Sequence, residues 1–263
     1  MNMLSVEKAG VQVELNAPAG LQAGALASYT IRLRDSLTGV PLTDLIASHE
    51  RLLHLIIIRR DLQHFQHLHP RPTGHPGEFL ADVSFPHNGE YLFFIEFSRK
   101  NGEHILYRET NVVGDEPLAM SALVEDNAPK TVGNVRIRLE EKVAEAGREE
   151  TYIFSLEDAR TGQPMQNLQP YLGAAAHVVI LSEDAQTFGH AHGEFVAEGM
   201  EQRSGHHGHG MGHHHGQGMQ MPSASARVRF QHTFPATGRY KIWGEFQNRE
   251  GEIIRADFVV RAR

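Results

Sequence analysis

Tyr91, Phe93, Ile95 and Phe97 alternate along the chain with Leu92, Phe94 and Glu96. A period of two places one of these sets on the inward face of a strand. Similar short runs recur from end to end. In the first half they are VQVEL, YTIRLR, LHLIII, HFQHLH, FLADVSF, YLFFIEFS and HILYRETNVV. In the second half they are VRIRL, YIFSLE, HVVILS, the FGHAH segment, ARVRFQHTF, RYKIWGEF and EIIRADFVV. The turn signals DSLTG, ARTG, PHNG and PATG separate them at intervals that suit antiparallel sandwiches. No stretch carries the pattern of an amphipathic helix. The pattern predicts an all-β chain of two tandem immunoglobulin-like or cupredoxin-like antiparallel β-sandwich domains.

The tandem arrangement rests on an internal repeat. The segment GVPLTDLIASHERLLHLIIIRRDLQHFQHLHP, from Gly39 to Pro70, aligns without a gap on GQPMQNLQPYLGAAAHVVILSEDAQTFGHAHG, from Gly162 to Gly193. The offset is 123 residues, the separation of His54 from His177. It brings Pro41 onto Pro164, Leu45 onto Leu168, Asp61 onto Asp184, and Phe65, His67 and His69 onto Phe188, His190 and His192. Further on, FPHNGEYLFFIEF matches FPATGRYKIWGEF at an offset of 149, the separation of Phe85 from Phe234. The difference of 26 residues is an insertion in the second copy. We therefore expect a first domain over residues 1–117 and a second over 118–263, with the inserted loop at about 194–225 and the linker within 111–134.

Composition narrows the function classes. Of 263 residues, 40% are apolar and 22% charged, enough to fold around real cores. The net charge of −7 lacks the basic face that a nucleic-acid partner needs. The most apolar run, LLHLIII, is too short for a membrane span and holds a histidine. The opening MNMLSVEKAGVQVEL has no basic region followed by an apolar one, so no signal peptide is expected in this chain. With no cysteine there are no disulfides, thiol nucleophiles, thiolate zinc sites or blue-copper sites. No nucleophile elbow, Walker loop or dinucleotide fingerprint occurs either.

The candidate chemistry lies in the 18 histidines. On a strand, residues i and i+2 point to the same side, so His67 and His69 can converge on one ion, as can His190 and His192. His54 and His177, near the start of the preceding strand in each copy, are the natural third ligands; Glu96 and Glu245 also recur, each on one sheet face with Phe94 or Trp243. A fold-serving role competes with this: a strand-end histidine can bond a loop carbonyl, and Asp61 or Asp184 could hold one in place. A second cluster lies in the insertion, where His206, His207, His209, His213, His214, His215 and Met211 stand among glycines and further methionines. Such a glycine-rich segment forms no packed core, which also allows a merely solubilising spacer. Imidazole mixed with thioether and no thiolate favours copper, with zinc or nickel as alternatives.

The second copy, PYLGAAAHVVILSEDAQTFGHAHG followed by FPATGRYKIWGEFQ and FVVR, resembles a family of bacterial secreted or lipoprotein β-sandwich domains. That group is FixH/YtkA-like and heavy-metal-associated, and the likeness covers most of 162–261 and, more loosely, 39–113. It implies a periplasmic or extracellular, metal-related role centred on His177, His190 and His192, with His54, His67 and His69 matching in the first copy. Gly193 departs from the proline that follows the histidine pair in the family and at Pro70, HER at 49–51 replaces LGA, and Glu245 stands where glutamine is usual. The expectation is a non-enzymatic metal-ion-binding protein, most simply a copper chaperone, buffer or resistance factor. Its partners would be metal ions and a metal-transport or efflux protein. The alternative is a tandem immunoglobulin-like protein–protein interaction module with an incidental histidine-rich loop; a metal-dependent enzyme is the third reading.

Overall fold

A computed structural model describes residues 3–115, 122–140, 143–166, 168–196 and 226–263. The chain forms two compact units, Met1–Ser121 and Ala122–Arg263. Among the described residues there is no helix, and hence none long and apolar enough to cross a membrane.

The strands of the first unit are β1 (Leu4–Ser5), β2 (Val11–Asn16), β3 (Leu26–Asp35), β4 (Leu45–Ile46), β5 (Leu53–Arg59), β6 (Phe65–Leu68), β7 (Arg71–Pro72), β8 (Glu78–Ser84), β9 (Gly89–Arg99) and β10 (His104–Val113). One sheet runs β1-β10-β9-β5-β6 with β4 on β9, and the other runs β2-β3-β8-β7. The alternation along β9 has the predicted outcome. Tyr91, Phe93, Ile95 and Phe97 join Leu53, Leu55 and Ile57 in a core closed from the other sheet by Tyr29, Ile31, Leu33, Phe79 and Val83.

The strands of the second unit are β11 (Lys130–Val132), β12 (Val135–Leu139), β13 (Glu149–Asp158), β14 (Ala176–Ser182), β15 (Phe188–Phe195), β16 (Arg227–Thr233), β17 (Gly238–Gln247) and β18 (Ile253–Ala262). Phe154, Leu156 and Phe230 from one side meet Val178, Ile180, Ile242, Phe246 and Phe258 from the other. Each unit is thus a β-sandwich, with period-two inward faces supplying the packed interior. The chain is all-β, as the sequence pattern predicts.

Both units share fine structure of the immunoglobulin-like kind. Tyr91 Oη donates to His87 O at 2.8 Å, and Tyr240 Oη donates to Ala236 O at 2.9 Å. A strand-opening tyrosine that bonds four residues back is the tyrosine corner of such sandwiches. In the DSLTG turn Asp35 Oδ1 accepts from the Thr38 amide and hydroxyl, both at 2.8 Å. Asp158 does the same with Thr161 at 2.7 and 2.9 Å. The Thr38 and Thr161 amides, foremost, hold the two carboxyls below the usual carboxylate range.

One difference between the units follows from one residue. In the first, the strand carrying His67 breaks at Pro70, so β6 pairs with β5 and β7 separately with β8. Proline lacks the amide hydrogen that a continuous ladder needs. In the second, Gly193 keeps β15 unbroken, and the strand pairs with β14 along most of its length and with β16 through Glu194 and Phe195. Residues 194 and 195, assigned by the sequence pattern to the start of the insertion, therefore belong to a strand shared by both halves of the sandwich. A side chain at 193 has no room there: a Cβ would lie 2.5 Å from Val228 Cγ1 and 3.0 Å from Ala176 Cβ.

Candidate functional site

The parity of the strands sets which side chains meet. In β5 the odd positions fill the core, so His54, Ile56 and Ile58 face the other way. Ile56 pairs with His67 on one side and Phe94 on the other, and His54 pairs with Glu96. In the second unit His177 pairs with His192 and with Glu245, and Val179 pairs with His190 and with Trp243. Each unit therefore gathers three histidines on the face of its sheet opposite the sandwich core.

The gathering is close. His54 Nδ1 lies 3.2 Å from His67 Nε2, and His177 Nδ1 lies 3.4 Å from His190 Nε2. His69 stands beside the first pair, its ring centroid 5.1 Å from that of His54 and 4.6 Å from that of His67. His192 takes the same place, 4.8 Å from His177 and 4.6 Å from His190. Three imidazoles sharing an ion at about 2.0 Å through nitrogen place their ring centres about 5 Å apart, so the spacing suits one ion. His54, His67 and His177 are 4%, 7% and 0% exposed, so the nitrogens have been taken out of water.

A tight turn orients the first histidine of each triad. Ser48 and Arg51 exchange backbone hydrogen bonds at 2.9 and 3.1 Å, and Tyr171 and Ala174 do so at 2.8 and 3.2 Å. The residues between them lie in the left-handed region: His49 and Glu50 at φ 49° and 64°, Leu172 and Gly173 at 49° and 74°. Two consecutive positive φ values make the two-residue hairpin turn that matches strand twist, and three of these four positions bear side chains that resist it. The turn carbonyls then receive the histidines: His54 Nε2 lies 3.0 Å from Ser48 O, and His177 Nε2 lies 3.0 Å from Tyr171 O. A carbonyl can only accept, so Nε2 carries the proton and Nδ1 is the nitrogen left for the partner ring or an ion. Hydrogen bonding of a ligand histidine through its other nitrogen is the usual support of a metal centre.

Of the fold-serving roles considered from sequence, the loop carbonyl is the one these contacts display. Asp61 instead accepts from Arg59 Nη1 at 2.9 Å and the Gln63 amide at 3.1 Å, and Asp184 from Ser182 Oγ at 2.5 Å and the Gln186 amide at 2.9 Å. The sequence pattern does not predict the turn. Its one signal in the sequence is Gly173, and the first copy has Glu50 at that place.

The surroundings are apolar. Ile56, Ile58, Leu92 and Phe94 share the triad's face in the first unit, as do Val179, Leu181 and Trp243 in the second, and all are buried. The Tyr171 ring meets His177 edge to face at 5.2 Å. Glu245, 2% exposed, is held by Arg255 at 2.6 and 3.0 Å. His206, His207, His209, His213, His214, His215 and Met211 lie outside the described residues.

Residues 5–114 and 130–263 match a protein family described as a domain of unknown function, DUF8832. The chain belongs to the DUF8832 family. That match is to DUF8832 and not to the FixH/YtkA-like group that the motifs resemble. No curated protein matches this DUF8832 chain. Among solved structures it is similar to the Yersinia pseudotuberculosis adhesin InvE, at 10% identity and a TM-score of 0.28, covering 96% of this chain and 60% of that one. It is also similar to the Escherichia coli adhesin FdeC, at 13% identity and a TM-score of 0.29, covering 97% and 64% respectively. Fibronectin(III)-like modules of Clostridium thermocellum CbhA give 8% identity and a TM-score of 0.24, covering 96% and 94%. The DUF8832 chain thus spans 60% and 64% of the length of the two adhesin structures.

Proposed function

We propose that this protein is a non-enzymatic tandem β-sandwich binding module whose bound partner is a transition-metal ion, copper ahead of zinc or nickel. One observation carries the reading. In each unit a histidine tied through Nε2 to a turn carbonyl presents Nδ1 to the Nε2 of a second histidine, at 3.2 and 3.4 Å. Two nitrogens bound to one tetrahedral ion at 2.0–2.1 Å lie about 3.3–3.4 Å apart, so the pairs need little movement to share an ion. Imidazole donors suit copper, zinc and nickel, and Met211 among the histidines of 206–215, with Met200, Met219 and Met221 around them, tilts the choice to copper. The folded triads would be the defined sites, and the histidine-rich segment would gather ions for them or for a metal-transport or efflux partner outside the cytoplasm.

The sandwich architecture, taken without the histidines, favours a second reading. Tandem immunoglobulin-like units commonly present loops and strand edges to a protein partner, and there the triads would only brace the strands.

Titration of the full chain with Cu(I), Cu(II), Zn(II) and Ni(II) near neutral pH separates the two. No ion held more tightly than about 1 µM would sink the metal reading and leave the interaction module. Loss of all binding on deleting residues 200–222 would show the folded histidines to be structural. Binding that survives the deletion supports the triads as sites.

A further inference from the structure

We propose that the first unit holds a further binding site, a cleft near the end of β3 that takes a small organic carboxylate and shares no residue with the histidine triads. The cleft measures about 280 Å³, near the smallest size that ligand pockets take. It forms because two loops close on the strand. The Leu33 amide donates to Gly77 O at 2.8 Å, and Leu33 O accepts from the Leu42 amide at 3.0 Å. Gly77 lies at φ 68°, and a Cβ there would stand 2.6 Å from Leu33 O, so glycine alone lets the loop come this close. Pro41 and Pro76 add rigid apolar walls.

Arg32, Arg34, His75 and Glu78 supply the polar lining. Ile31 and Leu33 enter the core, so the two arginines share the opposite face of β3. Each is anchored through one nitrogen: Arg32 Nε donates to Glu78 Oε2 at 2.7 Å, and Arg34 Nη1 donates to Gly39 O at 3.0 Å. The other Glu78 oxygen accepts from Thr73 Oγ1 at 2.9 Å, and that bond foremost holds the carboxyl below its usual range, so it stays charged. Arg34 Nε lies 3.9 Å from Glu14 Oε1, beyond hydrogen-bond reach. Among the described residues both Nη groups of Arg32 and Nη2 of Arg34 bond nothing. Two anchored guanidiniums with donors to spare match a planar oxyanion. Two arginines less Glu78 leave one positive charge on the lining, which balances a monocarboxylate and not a doubly charged anion. The sandwich does not need these arginines, because Ser155 and Glu157 stand at the same places in the second unit.

The test is a titration of the full chain with sodium acetate and sodium butyrate, followed by amide chemical shifts in NMR. Sodium chloride at matched ionic strength is the blank, and sodium sulfate is the doubly charged comparator. The Gly77 and Glu78 amides are expected to shift saturably with butyrate, with half-saturation below about 10 mM. The Gly162 amide, in the corresponding turn of the second unit, is expected to stay in place. Arg34→Gln is expected to weaken binding at least about tenfold, as loss of a charge-assisted hydrogen bond does. Arg34→Glu, which copies the residue of the second unit, is expected to abolish it in a chain that still folds. Shifts that rise linearly with concentration, or that are the same in Arg34→Gln, overturn the site. Sulfate bound as tightly as butyrate, or more so, overturns the carboxylate assignment.

Discussion

Ser48 O accepts two hydrogen bonds, one from the Arg51 amide at 3.1 Å and one from His54 Nε2 at 3.0 Å. Tyr171 O does the same for the Ala174 amide at 3.2 Å and His177 Nε2 at 3.0 Å. One carbonyl thereby fixes both the turn and the tautomer of the ring that follows it. The nitrogen turned toward the second histidine of each triad is thus Nδ1 of the first.

Substitutions that separate the two nitrogens should behave differently. His54→Gln and His177→Gln place a side-chain amide nitrogen near Nε2, so the turn keeps its donor and the fold its stability, while metal stoichiometry measured by dialysis falls. His177→Ala removes a donor to the half-buried Tyr171 O, which costs about 1 kcal/mol in denaturant unfolding. Equal destabilisation by glutamine and alanine, with metal content unchanged, would mark the histidines as braces.

Trp243 is the single tryptophan of the chain and shares a cross-strand row with His190 through Val179. Copper at the second triad should quench its fluorescence. The quenching should survive deletion of residues 200–222 and vanish in His190→Ala. Quenching that disappears with the deletion instead would place the ion elsewhere.

Gly193→Ala should destabilise the second unit. The new Cβ meets Val228 Cγ1 and the Ala176 Cβ in the packed interior, and overpacking of this kind costs about 1–3 kcal/mol. Adding Val228→Ala removes the nearer clash, so the double variant should recover part of the loss in urea unfolding. Full stability of Gly193→Ala alone would show that β15 can shift to make room.

His232 gives the second unit an acid sensitivity. Burial pulls its imidazole down to about 4, and among the described residues its Nε2 is buried without a hydrogen-bond partner. The folded state therefore refuses a proton that the unfolded chain accepts near 6.5. Stability is unaffected above that value and falls as pH drops from about 6.5 to 4, by roughly 3 kcal/mol in all. His232→Val, which installs the residue found at Val83 of the first repeat, should flatten the pH dependence of the melting temperature across that window. An unchanged slope would mean the ring finds water when charged.

The fold class was legible because alternation and turn signals report directly on pleated, two-sided strands. So was the convergence of His67 with His69 and of His190 with His192, since parity alone decides it. The third member of each triad, His54 or His177, needed the repeat to single it out. What the pattern could not supply was the turn at 48–51 and 171–174, because His49, Glu50 and Leu172 adopt a backbone conformation that their side chains disfavour. Nor could it show which ring nitrogen is left over, a matter of one carbonyl's direction. Two-residue pairings such as β1 on β10, which is parallel, are too short for any periodic signal.

The exchange of Pro70 for Gly193 reaches the histidines themselves. A strand that belongs to both halves of a sandwich cannot let them slide without breaking its own ladder. In the second unit that strand carries His190 and His192, so the pair is clamped to the whole sandwich. In the first, the break at Pro70 lets one sheet shift while His67 stays seated on β5. Two centres built from the same rings thus differ in stiffness, and an ion that tolerates only certain angles would feel the difference.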